Sequence, residues 1–406
     1  MRKYIVDSLY MWAKEYKIKG FRFDLMALLD VETMRKAKTV LYNVDPDIYL
    51  YGEGWTSGGF HGGFDYENQS QSVSAAACNG VGDAVYTSLY NQSNNECYLG
   101  AFNGTGRDAL KGANDQGWGS VTHLPGYGFI SQGVGDAQEG TRATVGDMIW
   151  GINTGVGGNP KQTVNYASCH DNWTLRDQLY YCLGSGEHNA NAYDLSHAVV
   201  ATEAMIFASN GVAFMLGGEE LLRSKDLAYA KPEEYEKILK NTYESMRGVE
   251  ISHNSYNLPI EVNSFKWDQK VSCVVKNSGT DGANITLDMK HEDLTGKFKK
   301  MIKMHNDMKH YSFDEMNSIH TSYDSWSGLN NEQAYHGSAG IHFGEYFIFV
   351  SGRSFAYFKD SDHGMNIDPI SEYCFGTQRY DSTYYSINVG DETYGTGYAF
   401  RLYRRP

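Results

Sequence analysis

Apolar residues return at helical spacing from the first residues of the chain, with Ile5, Leu9, Trp12 and Tyr16 on one stripe and Lys14, Glu15 and Lys17 on other faces. The pattern predicts an amphipathic helix that stops at Gly20. The period then drops to two. Phe21, Phe23 and Leu25 alternate with Arg22, Asp24 and Met26, which is a strand pattern that sets Arg22 and Asp24 on the same side. A second helix is predicted over 31–44, with Met34, Ala37, Val40 and Leu41 on one face, and a second strand over 48–52. Helix, strand, helix, strand is the rhythm of a parallel sheet.

Glu53 follows Asp24 by 29 positions, close to the roughly 30 residues of one strand–helix–strand repeat. The two carboxylates are therefore expected at the same ends of neighbouring parallel strands, which in a strand–helix barrel is the catalytic face. Residues 54–162 loosen into Gly, Asn, Ser and Gln around a tighter motif at Phe102–Gly112, as expected for a loop excursion plus one strand–helix unit. A third extended stretch, Val164-Asn165-Tyr166, opens into Cys169-His170-Asp171-Asn172. Beyond it, 195–208 reads as a helix, 211–217 as a buried strand, and Glu219 and Glu220 as a helix start. The expected total is about five strands, against the eight of a closed barrel. A helix is predicted around 300–316. From about Tyr323, alternating aromatic and apolar residues at 345–350, 354–358 and 398–403 predict strands of a small sandwich.

Composition narrows the classes. The 406 residues, 41% of them hydrophobic, suffice for one large domain and a smaller one. The net charge of −14 and the lack of a basic run argue against a nucleic-acid partner. No stretch approaches the roughly 20 apolar residues of a membrane span. Six dispersed cysteines form no C-x-x-C metal pair. Aromatic residues reach 14%, and flat rings with polar edges suit both core packing and the faces of sugar rings.

The segments Gly-Phe-Arg-Phe-Asp-Leu-Met at 20–26, Gly-Glu-Gly-Trp at 52–55 and His-Asp-Asn at 170–172 resemble three of the four classical conserved regions of glycoside hydrolase family 13, the alpha-amylase clan. Within that clan the chain is similar to the debranching group, type I pullulanases and isoamylases. Further likeness lies in Phe102–Gly112, in Gly211–Phe214 through Glu219–Lys225, and in Asn254-Ser255-Tyr256, and it spans most of residues 1–267. The resemblance implies a partial (β/α)8 TIM barrel from roughly strand 4 onward over 1–320, with an insertion at 271–299, followed by a C-terminal β-sandwich domain over 321–406. It also implies that the chain begins at the helix before the fourth strand, because the family's first conserved region and its Tyr-Asn-Trp-Gly-Tyr-Asp-Pro segment have no counterpart here.

By the same resemblance Asp24 is the nucleophile, Glu53 the general acid and base, and Asp171 the carboxylate that steadies the transition state. Arg22 and His170 orient the nucleophile and grip sugar hydroxyls, and Trp55, Asn254 and Tyr256 are further substrate contacts. The expected partner is an α-glucan, with no nucleic acid and no membrane. No cofactor is expected, and no residues are assigned to a structural calcium. The chemistry asks for the same cast independently: a retaining glycosidase pairs an ionised attacking carboxylate with a protonated one about 5–5.5 Å away. The expected reaction is cleavage of α-1,6 branch links by double displacement. The alternatives are a catalytically silent glucan-binding fragment and an α-1,4-acting amylase.

Overall fold

The computed structural model describes residues 1–26, 29–54, 99–114, 125–131, 138–153, 160–183, 192–235, 245–246, 249–252, 255–267, 271–276, 284–289, 291–319, 338–352, 368–378, 387–389, 392–394 and 396–404. Five parallel strands form one sheet in sequence order: β1 (Gly20–Phe23), β2 (Tyr49–Gly52), β3 (Leu99–Phe102), β4 (Thr163–Tyr166) and β5 (Val212–Phe214). Helix α1 (Arg2–Tyr16) precedes β1, and the connections carry α2 (Val31–Tyr42), α3 (Gly104–Lys111), α4 (Gln138–Trp150), α5 (Leu175–Leu183) and α6 (Ala192–Ala208). This is the expected parallel half-barrel.

Alternation along the strands gives the sheet two different faces. Leu50, Leu99 and Ala101 point to one side, where α1 and α2 bury Leu9, Ala13, Met34, Ala37 and Leu41 against them. The opposite face carries a layer of rings: Tyr49 and Tyr51 stack at 5.6 Å, and Phe102 meets Tyr166 at 4.9 Å and Phe214 at 5.3 Å. Asp30 caps α2 by accepting the Thr33 N–H at 2.9 Å, and Arg2 donates to Asp30 at 2.8 Å, which ties α1 to α2. The buried stripe of α1 differs from the expected one. Leu9 and Ala13 are buried, whereas Trp12 and Tyr16 are exposed with their rings 4.6 Å apart. The face that meets α2 runs through Ile5, Leu9 and Ala13 at four-residue steps, so Trp12 and Tyr16 fall on the flank.

The remaining strands are a pair of two-residue strands, β6 (Ser245–Met246) and β7 (Val249–Glu250), an antiparallel hairpin, β8 (Val271–Lys276) with β9 (Asn284–Met289), and a C-terminal group. A one-turn helix, α7 (Ile260–Asn263), precedes the hairpin. The helix expected around 300–316 is two helices, α8 (His291–Asp307) and α9 (Phe313–Ile319). In the C-terminal group, β10 (Ser338–Phe343), β11 (Tyr346–Ser351), β12 (Asp368–Gln378) and β15 (Thr396–Arg404) form an antiparallel sheet in the order β10-β11-β15-β12, beside a separate pair, β13 (Ile387–Val389) with β14 (Glu392–Tyr394). Its apolar side, including Phe343, Ile348, Phe400 and Leu402, enters one core with Val199 and Met205 of α6 and Phe298 and Met301 of α8. Among the described residues helices, not a second sheet, cover this face, and the expected strand at 354–358 lies outside them.

Candidate active site

The register of β1 against β2 sets the site. Phe23 pairs with Gly52, so the residues that follow the two strands, Asp24 and Glu53, leave the sheet at the same level. Only glycine fits at position 52: a Cβ there would overlap the Phe23 carbonyl oxygen. Arg22, on the aromatic face of β1, lies with its guanidinium 5.8 Å from the Phe102 ring centre and forks between both acids. Its Nη1 donates to Asp24 Oδ1 at 2.7 Å and its Nη2 to Glu53 Oε1 at 2.9 Å. Burial opposes the Arg22 charge, but Asp24 and Glu53 outweigh it and the pKa is raised further. The second Glu53 oxygen accepts the Leu25 N–H at 2.9 Å. Leu25 takes φ 46°, a left-handed conformation unusual for a branched side chain.

The loop after β4 supplies the third carboxylate. Asp171 stands 3.5 Å from His170 Nε2, whose other ring nitrogen is 3.3 Å from Cys169 Sγ. Asn172 follows at φ 61°, so both aspartates precede a non-glycine residue in the left-handed region. The N-terminal turn of α5 is capped not by Asp171 but by Thr174, whose hydroxyl accepts the Asp177 N–H at 3.1 Å. Burial raises the Cys169 thiol pKa, with Asp171 and Glu53 adding to the shift.

Glu53 and Asp171 line one cavity of about 360 Å³, with Phe102, Arg107, Tyr166 and Trp173 among its walls. Asp24 is not among the lining residues. Its side chain is 65% exposed and it joins Glu53 through Arg22. His170 is half exposed beside Asp171. Tyr256 does not line the cavity; it is 81% exposed, in the loop that precedes α7. Trp55 and Asn254 lie outside the described residues. Among the described residues no group of three or more His, Cys, Asp or Glu is arranged to hold a metal ion, and no helix is long and apolar enough to cross a membrane.

Several buried charges behind the cavity carry no signal in the pattern of the sequence. Arg107 donates to the Tyr166 hydroxyl at 2.7 Å and to Asp108 at 2.6 Å, which places a cation on the cavity wall. Glu219, fully buried after β5, accepts from the Ser168 hydroxyl and, at 3.1 Å, from the Leu216 N–H. Burial pushes its pKa up to about 7. Glu203 of α6 meets no donor for its carboxyl oxygens among the described residues. Burial, with the Glu219 charge adding to it, holds Glu203 well above the usual carboxylate range.

A pH dependence of stability follows. Folded-state pKa values raised above the ordinary 4.5 contribute stability that is complete below pH 4.5 and lost as pH rises through about 7. Thermal melts should show a midpoint that falls between pH 5 and 7, and Glu203→Gln should flatten that fall. Asp147, raised to about 6 by burial, leaves part of the slope in place. Buried Lys111, lowered to about 7, acts in the opposite direction only above that pH. A Glu203→Gln profile as steep as the parent's would refute a raised Glu203 pKa as the source of the fall.

No family model matches the chain. It is 27% identical to a pullulanase of Bacillus subtilis (strain 168) over 269 residues, 66% of this chain and 30% of that protein. Against a pullulanase of Klebsiella pneumoniae the identity is 30% over 249 residues, 55% of this chain and 21% of the other. An isoamylase of Pseudomonas amyloderamosa is 23% identical over 286 residues, 65% of this chain and 33% of that one. Among solved structures, the Paenibacillus barengoltzii pullulanase complexed with maltohexaose and alpha-cyclodextrin superposes with a TM-score of 0.64 at 21% identity, covering 100% of this chain and 51% of the other. The pullulanase from Bacillus acidopullulyticus gives 0.60 at 21%, covering 100% and 40%. The chain thus spans 21–33% of the length of these curated relatives and about half, or less, of the solved ones. By sequence over about two thirds of its length the chain is similar to pullulanases and isoamylases, and its fold is similar to that of the solved pullulanases.

Proposed function

We propose that this chain carries the hydrolytic centre of an α-glucan debranching enzyme that cleaves α-1,6 links with retention of configuration. The observation that carries the reading is the single guanidinium of Arg22 shared by Asp24 and Glu53 at adjacent strand ends, with Asp171 on the cavity wall that Glu53 also lines. In the first step the Asp24 carboxylate attacks the anomeric carbon while Glu53, protonated, gives its proton to the departing glycosidic oxygen. The C–O bond to the leaving sugar breaks as the bond to Asp24 Oδ forms. In the second step Glu53 takes a proton from water, whose oxygen displaces Asp24 and restores both groups. Asp171 places negative charge beside the oxocarbenium-like carbon in both steps.

Arg22 does two jobs. It aims the Asp24 carboxylate for attack. Its hold on Glu53 is a charge-assisted bond, so substrate entry has to loosen that contact before Glu53 reaches the glycosidic oxygen.

The test is incubation of the purified chain with pullulan and measurement of new reducing ends. Maltotriose as the product supports α-1,6 cleavage, and other product lengths support the α-1,4 reading. A second reading, a silent glucan-binding fragment, is favoured by one observation: Asp24 is mostly exposed and stands outside the cavity lining. Binding of maltohexaose without turnover in a folded sample would decide for it.

A further inference from the structure

Lys225 is almost fully buried and is not itself among the residues that line the cavity. Its ammonium reaches back across the fold to the loop after β4 and donates to the carbonyl of His170 at 2.7 Å and to that of Asn172 at 2.5 Å. The two acceptors bracket Asp171. The lysine's own backbone is fixed at both ends: its N–H donates to Asp177 Oδ2 at 2.8 Å, and its carbonyl accepts the Ser252 N–H at 3.0 Å. Asp177, fully buried near the start of α5, also accepts from Ser224 Oγ at 2.6 Å and from Arg176 at 2.8 Å. One buried carboxylate and one buried ammonium thus lash together the loop after β5, the start of α5 and the loop that carries Asp171.

The bracketed segment needs such a hold. Asn172 sits in the left-handed region, a conformation that persists only where surrounding structure over-determines it. Asp171 itself is half exposed, and among the described residues its ion-pair partner is His170, at 3.5 Å.

We propose that Lys225 is the positioning residue for Asp171: a brace that fixes the His170–Asn172 backbone so that the third carboxylate stands at the reacting carbon without Lys225 touching substrate. The proposal deepens the debranching reading and rests on it for its catalytic part. The groups that face the ammonium are Asp177 and Asp171, which favour its charge, together with Arg223, which opposes it, and Cys169. The displacement of a bracketing contact by even about 1 Å is enough to cost on the order of a hundredfold in rate.

The test compares the parent chain with Lys225→Met and, as a control of general destabilisation, Leu227→Ala, a buried residue that packs with Ala230 and Val262. Amide hydrogen exchange is followed across residues 168–173, and kcat and KM are measured on pullulan. The expected result for Lys225→Met is exchange at 168–173 faster by about tenfold than in a Leu227→Ala sample of equal melting temperature, with kcat lower by about a hundredfold and KM within about threefold. Exchange at 168–173 no faster than in the control overturns the brace, whatever the activity. Faster exchange with unchanged kcat overturns its catalytic role. A parent chain that does not cleave pullulan sinks the debranching reading, and with it the catalytic part, while the exchange comparison still decides the brace. Lys225→Gln, which keeps an amide donor on a shorter stem, takes the place of the Met variant in both measurements if that variant does not fold.

Discussion

Asp24→Asn lowers kcat on pullulan by at least about a thousandfold while the thermal midpoint moves by no more than about 2 °C. The separation of the two effects comes from the geometry. The Asp24 side chain is largely in solvent and among the described residues its polar contact is with Arg22, so little packing is lost. An asparagine has the same shape and its amide oxygen still accepts from Arg22 Nη1. What disappears is the negative charge that attacks the anomeric carbon. Reducing-end release, measured alongside circular dichroism on the same samples, reads both quantities. Activity within tenfold of the parent would remove Asp24 from the role of nucleophile. A large drop in midpoint would mean instead that the Arg22 fork holds the strand ends together as a structural ion pair.

Gly52→Ala is the second large effect, and it acts through the backbone. The added methyl would meet the Phe23 carbonyl oxygen and lie 3.1 Å from both Cβ and Sδ of Met26. No side-chain rotation clears a backbone oxygen, so β1 and β2 have to separate where they pair, at Phe23 and Gly52. Such overpacking typically costs about 1–3 kcal/mol. The next residue is Glu53, whose bonds to Arg22 and to the Leu25 N–H span that same gap. A shift of about 1 Å there lowers kcat by on the order of a hundredfold. Chemical denaturation and kcat measured together check the pair of expectations. An alanine variant as stable and as active as the parent would mean that the strands part at no cost, and the tight register would then not be what aims Glu53.

Much of the fold is written in short-range patterns. Residues 31–44 carry a 3.6-residue period, and the structure has a helix over Val31–Tyr42 that buries Met34, Ala37 and Leu41. The alternation through Phe21–Met26 gives β1, with Arg22 on the face opposite Phe21 and Phe23. The C-terminal sheet illustrates a limit of such patterns. Alternating rings predict that one side of Tyr346–Ser351 and Thr396–Arg404 is buried, and it is, but the sequence of a strand does not encode what covers it. Here α6 and α8 do. A helix such as α6, buried all round from Leu195 to Ala208, has no single stripe to point with, so its neighbours are set only when the chain is folded.

The site divides the same way. Local order determined that Asp24 leaves the end of β1 two residues after Arg22, and repeat length determined that Glu53 stands next to them. Tertiary structure alone decided that one guanidinium serves both acids, that Asp24 faces solvent while Glu53 and Asp171 face the cavity, and that Tyr256 stays outside it. It alone brought Lys225 back across 55 and 53 positions to hold the segment around Asp171. The physical reason is range: periodicity reports which way a side chain leaves its own element, whereas a buried charge is placed by partners on other elements, and those partners meet only after the sheet and its helices have packed.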